Sequence, residues 1–166
     1  MKQLFMDTSE RKKMSVQYFR QAYEAQSHGD MGGAIELYQK SVDTFPTPEA
    51  LTFLGWALSS MGKFNESIEF CKKAIELDPE FGNPYNDIGA YLIELGKVDE
   101  AIPYLEKATQ VGRYETPWFS HYNLGRIWEK KGMIIKARQS YQRALEENPE
   151  YVTATECLDR LKFSLN

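Results

Sequence analysis

Histidine and cysteine are scarce. With two of each in 166 residues, zinc coordination by these side chains has little to build on, and a disulfide framework is excluded. An excess of positive charge is missing too: 20 Lys and Arg against 24 Asp and Glu give a net charge of −4, so no nucleic-acid partner is expected. No stretch approaches the roughly 18 consecutive apolar residues of a spanning helix, so no membrane span is expected either. The start, MKQLFMDTSERKK, has no signal-like apolar run and carries Asp7 and Glu10, which points to a cytoplasmic location. Cys71 and Cys157 stand alone, without Cys-x-x-Cys spacing, as reduced structural thiols do.

Catalytic signatures are equally thin. Neither a Gly-rich phosphate loop with its Gly-Lys-Ser/Thr ending nor a His-Glu-x-x-His helix occurs. His28 falls in a turn and His121 on a helix. The pairs Asp99–Glu100 and Glu146–Glu147 read as solvated charge near helix ends. No catalytic residue, cofactor or metal is expected, and the chain does not read as an enzyme.

What the sequence does hold is repetition. Gly29, Gly62, Gly96 and Gly132 each end an apolar-periodic stretch, at separations of 33, 34 and 36 residues. Five residues after each glycine stands Ala34, Ser67, Ala101 or Ala137; twelve after it, Ser41, Ala74, Ala108 or Ala144. Seven before it stand Ala22, Gly55, Gly89 and Gly125. Pro46, Pro79 and Pro149 follow three of the units. Four glycines in one register arise by chance roughly once in 40,000, so the repeat is real.

Each unit has a physical reading. Two stretches carry the 3.6-residue period of amphipathic helices, for example Tyr85, Ile88 and Leu92, then Ile102, Leu105 and Ala108. The glycine between them supplies a left-handed backbone at the turn, and the small residues let two helices approach. A pair this short cannot bury its apolar stripe alone, so successive pairs must stack.

These positions resemble the tetratricopeptide repeat family, whose unit is 34 residues long. Gly82 to Arg113 carries the pattern in Tyr85, Gly89, Leu92, Gly96, Ala101, Leu105 and Ala108. Pro48 to Phe81 and Trp118 to Glu150 follow it; Ser15 to Thr47 follows it less closely, with Gly29, Ala34, Tyr38 and Pro46 in place. The resemblance implies an all-α solenoid of helix-turn-helix units in a right-handed superhelix, forming a single domain over 1–166. Its units are 15–47, 48–81, 82–117 and 118–150, after an extension over 1–14. A capping helix follows over about 151–164, in which Tyr151 to Phe163 reads as helical. Asp7-x-x-Glu10 forms a capping box that starts a longer first helix. Two extra residues between the third and fourth units predict a longer turn that displays Tyr114 and Trp118.

In the family, first helices line the concave face. The resemblance therefore assigns to a groove Phe19 and Tyr23, Phe53 and Trp56, Asn86, then Phe119, Tyr122, Asn123 and Arg126. Rings at such positions suit anchors for a partner, whereas Tyr38, Tyr85, Trp128 and Tyr141 belong to the repeat's own packing. Asn86 and Asn123 suit a peptide backbone, and Arg126 a carboxylate. The basic residues by which the chaperone-binding subgroup holds a C-terminal carboxylate are missing, and Asp87 stands among their places. The expected function is a scaffold or adaptor that docks a segment of another protein or peptide. The alternatives are a self-associating assembly protein, hence a homo-oligomer, and a chaperone of the secretion or pilus-assembly type.

Overall fold

A computed structural model describes residues 6–162, which form nine helices and no strand; an isolated bridge joins Phe81 to Arg113. The chain divides into two compact units, Met1–Asp78 and Pro79–Asn166. The first holds α1 (Thr8–Ser27), α2 (Met31–Thr44), α3 (Pro48–Ser59) and α4 (Phe64–Leu77). The second holds α5 (Gly82–Glu94), α6 (Val98–Ala108), α7 (Pro117–Lys130), α8 (Ile134–Glu147) and α9 (Val152–Lys162). The end of the expected capping helix, from Phe163 on, and the first five residues of the expected extension lie outside the described residues.

The four turn glycines have φ of 83°, 76°, 76° and 71°, the left-handed region that a side chain would strain. The next residue's N–H reaches back to close each helix end, as in Lys97 N to Leu92 O at 2.8 Å and Met133 N to Trp128 O at 2.8 Å. Sharp turns of this kind return α2, α4, α6 and α8 along their partners. The small residues then set the spacing: Ala22, Ala34, Ala101 and Ala137 are fully buried. A Cβ added at Gly89 would meet Leu105 at 2.4 Å, so the glycine is a requirement of the crossing. Pro48 and Pro117 sit at the starts of α3 and α7, where a missing N–H costs nothing.

In the first unit, Tyr38, Leu54, Ala57 and Leu58 form the core with Ala22 and Ala34, and Phe19, Ile35, Phe53 and Phe70 pack around it. The capping box is present: Asp7 Oδ1 accepts Glu10 N at 2.8 Å, and Glu10 accepts Asp7 N at 3.2 Å. It starts a 20-residue α1 whose early turns are tied to the end of α2, with Ser15 Oγ donating to Phe45 O at 2.9 Å and Arg11 Nε to Thr44 O at 3.0 Å. In the second unit, α8 and α9 bury Tyr141, Ala144, Ala154, Cys157 and Leu161, with Trp118, Tyr122 and Trp128 against them.

The turn between α6 and α7 corrects one expectation. Instead of displaying Tyr114 and Trp118, it folds back on the start of α5. Gly82 N donates to Arg113 O at 2.9 Å, Arg113 N to Glu80 O at 3.0 Å, and Gly112 N to the Glu80 carboxylate at 3.0 Å. Tyr114 then lies over Gly82, so close that a Cβ there would be 2.3 Å from it. Burial pushes the Tyr114 hydroxyl up to about 12. Trp118 is half-buried against the α8–α9 core. The extra residues thus release no aromatic side chain; they supply a plug.

Candidate partner-binding surface

Amphipathic spacing along α1 and α3 places four of the assigned rings in the first unit. Phe19 and Phe53 meet edge-on at 5.1 Å, and both lean on the buried Tyr38, at 5.5 and 5.8 Å. Tyr23 lies 6.1 Å from Phe53 and is 53% exposed. Phe19, Tyr23 and Phe53 form the apolar floor of an open cavity of about 690 Å³, with Arg20, Glu24 and Glu49 at its edge. Trp56, one turn along α3, is 41% exposed and lies outside this lining. The structure therefore joins three of the four rings around one depression and leaves the fourth beside it.

In the second unit the assigned residues divide by chemistry. Phe119 and Tyr122 on α7 are met by Tyr151, which stands edge-on to them at 5.6 and 5.4 Å. Phe119 stays 40% exposed, whereas Tyr122 is half-buried between Tyr151 and Tyr141. The sequence pattern places Tyr151 in the cap and not on this surface. The signal that could have found it is a repeated Pro-Glu-aromatic segment, Pro79-Glu80-Phe81 and Pro149-Glu150-Tyr151.

The polar members contact one another. Asn86 Oδ1 accepts from Ser120 Oγ at 3.1 Å and from Asn123 Nδ2 at 3.2 Å. Asn123 Oδ1 accepts from Arg126 Nη1 at 3.3 Å, and Arg126 Nη2 reaches Glu94 at 3.2 Å. Asn123 is only 7% exposed. These amides therefore join α5 to α7, and their hydrogen-bonding capacity is largely used within the unit. Beside them burial raises the Asp87 carboxyl to about 7, a shift that a hydrogen bond from Asn86 opposes. The raised pKa weakens the repulsion that Asp87 is expected to exert on a carboxylate.

Behind Tyr122 a smaller open cavity of about 390 Å³ reaches Tyr141, Cys157 and Arg160. There the Tyr141 hydroxyl donates to Glu129 at 2.9 Å, and Arg160 Nη2 holds both Glu129 oxygens at 2.8 and 2.9 Å. Tyr38 repeats the first of these contacts in the first unit, donating to Gln26 at 2.8 Å.

Among the described residues no three His, Cys, Asp or Glu side chains cluster as metal ligands would. His28 Nδ1 lies 2.8 Å from Glu24 O at the end of α1, and His121 is held below its ordinary pKa by burial and by Arg143. Among the described residues no helix is long and apolar enough to cross a membrane.

Comparison with known proteins gives three matches to family models described as tetratricopeptide repeat, at residues 48–81, 70–102 and 118–151. The small glutamine-rich tetratricopeptide repeat-containing protein 2 of Mycosarcoma maydis is 33% identical over 89 residues, 53% of this chain and 25% of that protein. The chain thus spans about a quarter of that relative's length. Among solved structures, Pseudomonas aeruginosa PilF superposes with a TM-score of 0.85 at 19% identity, covering 93% of this chain and 70% of that one. PilW, described as a widely conserved type IV pilus biogenesis factor, gives 0.82 at 22% identity, covering 90% and 69%. At these identities the two structures speak for the fold.

Proposed function

Because the chain belongs to the tetratricopeptide repeat family, we propose that it is a non-enzymatic scaffold or adaptor that docks a segment of another protein on the aromatic side chains of its first helices. One observation carries this reading: Tyr23, Trp56 and Phe119 remain 53%, 41% and 40% exposed on α1, α3 and α7. Burying such a ring gains about 1.5–3 kcal/mol. Two or three of them supply about 3–9 kcal/mol before the cost of association, so further contacts along the docked segment are needed to reach the ~8 kcal/mol of micromolar affinity. Tyr23 is backed by the half-covered Phe53, and Phe119 is flanked by Tyr151. Asn86, Asn123 and Arg126 act in this reading mainly by shaping the surface, since their polar atoms already have partners.

The test is affinity capture followed by mass spectrometry, run in parallel for the wild-type chain and for Tyr23→Ala/Trp56→Ala. Both side chains are exposed, so far-UV circular dichroism is expected to match. At least one protein recovered with the wild type is expected to fall about tenfold or more with the variant. If every wild-type partner is retained, these rings are not the docking site. Light scattering over a dilution series separates this from self-association, which predicts a mass that rises with concentration.

A further inference from the structure

The four helix pairs allow the same position to be compared four times within one chain. Two residues after each turn glycine stands an apolar side chain, Met31, Phe64, Val98 or Ile134, and all four are half-buried as the second helix begins. The residues on either side of it are exposed in every pair. In the first three pairs they are Asp30 and Gly32, Lys63 and Asn65, Lys97 and Asp99. In the fourth they are Met133 and Ile135, exposed by 43% and 68%. The fold does not ask for apolar residues there, as three pairs demonstrate, so packing gives no reason for them.

The surroundings of this tip are unusual in a second, independent way. Between residues 126 and 143 stand Arg126, Lys130, Lys131, Lys136, Arg138 and Arg143 against Glu129 alone, in a chain whose net charge is −4. Arg126 faces Glu94, Lys131 faces Asp99, and Lys136 lies 4.7 Å from the Trp128 ring centre. Glu129 is already paired with Arg160. Lys130 and Arg138 have no ion-pair partner among the described residues. The α7–α8 turn therefore presents two exposed apolar side chains within a cation-rich stretch, in which Lys130, Lys131 and Lys136 lie within three residues of Met133.

We propose that this turn is a peripheral docking tip for an anionic lipid surface. Two exposed apolar side chains flanking a helix start suit the boundary between headgroups and acyl chains, which takes them in without a matching pocket. Lysine stems let ammonium groups remain at phosphate level while Met133 and Ile135 enter below them. An acidic protein would satisfy the charge but would also need a cavity shaped for both apolar side chains. The proposal stands apart from the aromatic surface on the first helices.

Flotation of the full chain with vesicles tests it, using phosphatidylcholine alone and phosphatidylcholine with about one third phosphatidylserine. Recovery is expected with the mixed vesicles only, and is expected to fall as salt is raised to about 0.5 M. Met133→Lys/Ile135→Asn installs the residues of the second helix pair at exposed positions, so circular dichroism is expected to stay unchanged. Although this variant gains a positive charge, its vesicle affinity is expected to drop about tenfold. Equal recovery with the two vesicle types overturns the proposal, and so does a double variant that binds as well as the wild type. Binding to poly-glutamate without binding to vesicles assigns the tip to an acidic protein and overturns it as well. Tyr23→Ala/Trp56→Ala is expected to keep vesicle binding, so the two readings fail separately.

Discussion

Replacing Gly125 by alanine adds one methyl group where α7 crosses α8. An ideal Cβ at Gly125 would lie 2.4, 2.6 and 2.8 Å from the Cε1, Cδ1 and Cζ atoms of Tyr141. Carbon atoms pack at about 3.5–4.0 Å, so the shortfall is about 1 Å. The ring has nowhere to go: Tyr141 is fully buried, and its hydroxyl is held by Glu129, which Arg160 holds in turn. Relief must come from separating the two helices. Overpacking of this severity costs about 3 kcal/mol, against about 1 kcal/mol gained because alanine is the better helix former. The net loss of about 2 kcal/mol corresponds to a fall in Tm of about 4–8 °C for a chain of this length. Gly55→Ala in α3 is the control, at the same place in the repeat. There the Cβ meets Ser67 O at 3.0 Å and Cys71 Sγ at 3.2 Å, contacts that small shifts relieve. Its packing cost and propensity gain nearly cancel, and Tm is expected within about 2 °C of wild type. Thermal and urea unfolding followed by far-UV circular dichroism measure both. If Gly125→Ala melts at or above the wild type, or if the two variants shift alike, helix propensity governs these sites and the close-approach argument is refuted.

Two further outcomes follow from the second unit. Burial raises Asp87 to about 7 from its ordinary 3.8, so between those values the native chain keeps a proton that the unfolded chain has lost, and stability from this group falls as pH rises through that window. Asp87→Asn is therefore expected to gain in Tm over the wild type from pH 5 to pH 8, and a difference that stays constant with pH would contradict the assignment. Tyr114→Ala removes the ring that covers Gly82 and is expected to cost about 2–3 kcal/mol and to speed proteolysis within residues 109–116. Cleavage at the wild-type rate would mean that the turn is held by its backbone contacts alone.

The helical pairs were legible in the sequence because their cause is local. A glycine that must turn the chain and an alanine that must let a helix approach are each fixed by their own neighbours, and the pattern recurs four times. Tyr38 and Tyr141 were legible as packing residues for the same reason. The assigned surface was legible only in outline. Its rings could be placed on the first helices from their spacing, but their exposure depends on residues far along the chain. Phe53 is half-covered because Phe19 and Tyr38 lean on it, and Phe119 and Tyr122 are flanked by Tyr151. Asn86 and Asn123, 37 residues apart, find each other across two helices, an engagement no local pattern announces.

The amino-acid order alone carried the periodicity, the turns and the absence of catalytic motifs, since backbone conformation and amphipathic spacing act over a few residues. The fate of individual side chains was settled by packing. Tyr114 lies in a turn of ordinary loop composition, Gly112 to Thr116, yet it is half-buried because that turn closes over Gly82. Met133 and Ile135 belong by composition inside a core, yet they stay exposed on either side of the half-buried Ile134 at the start of α8. Apolar burial is set by which surfaces meet, and that is a property of the folded chain.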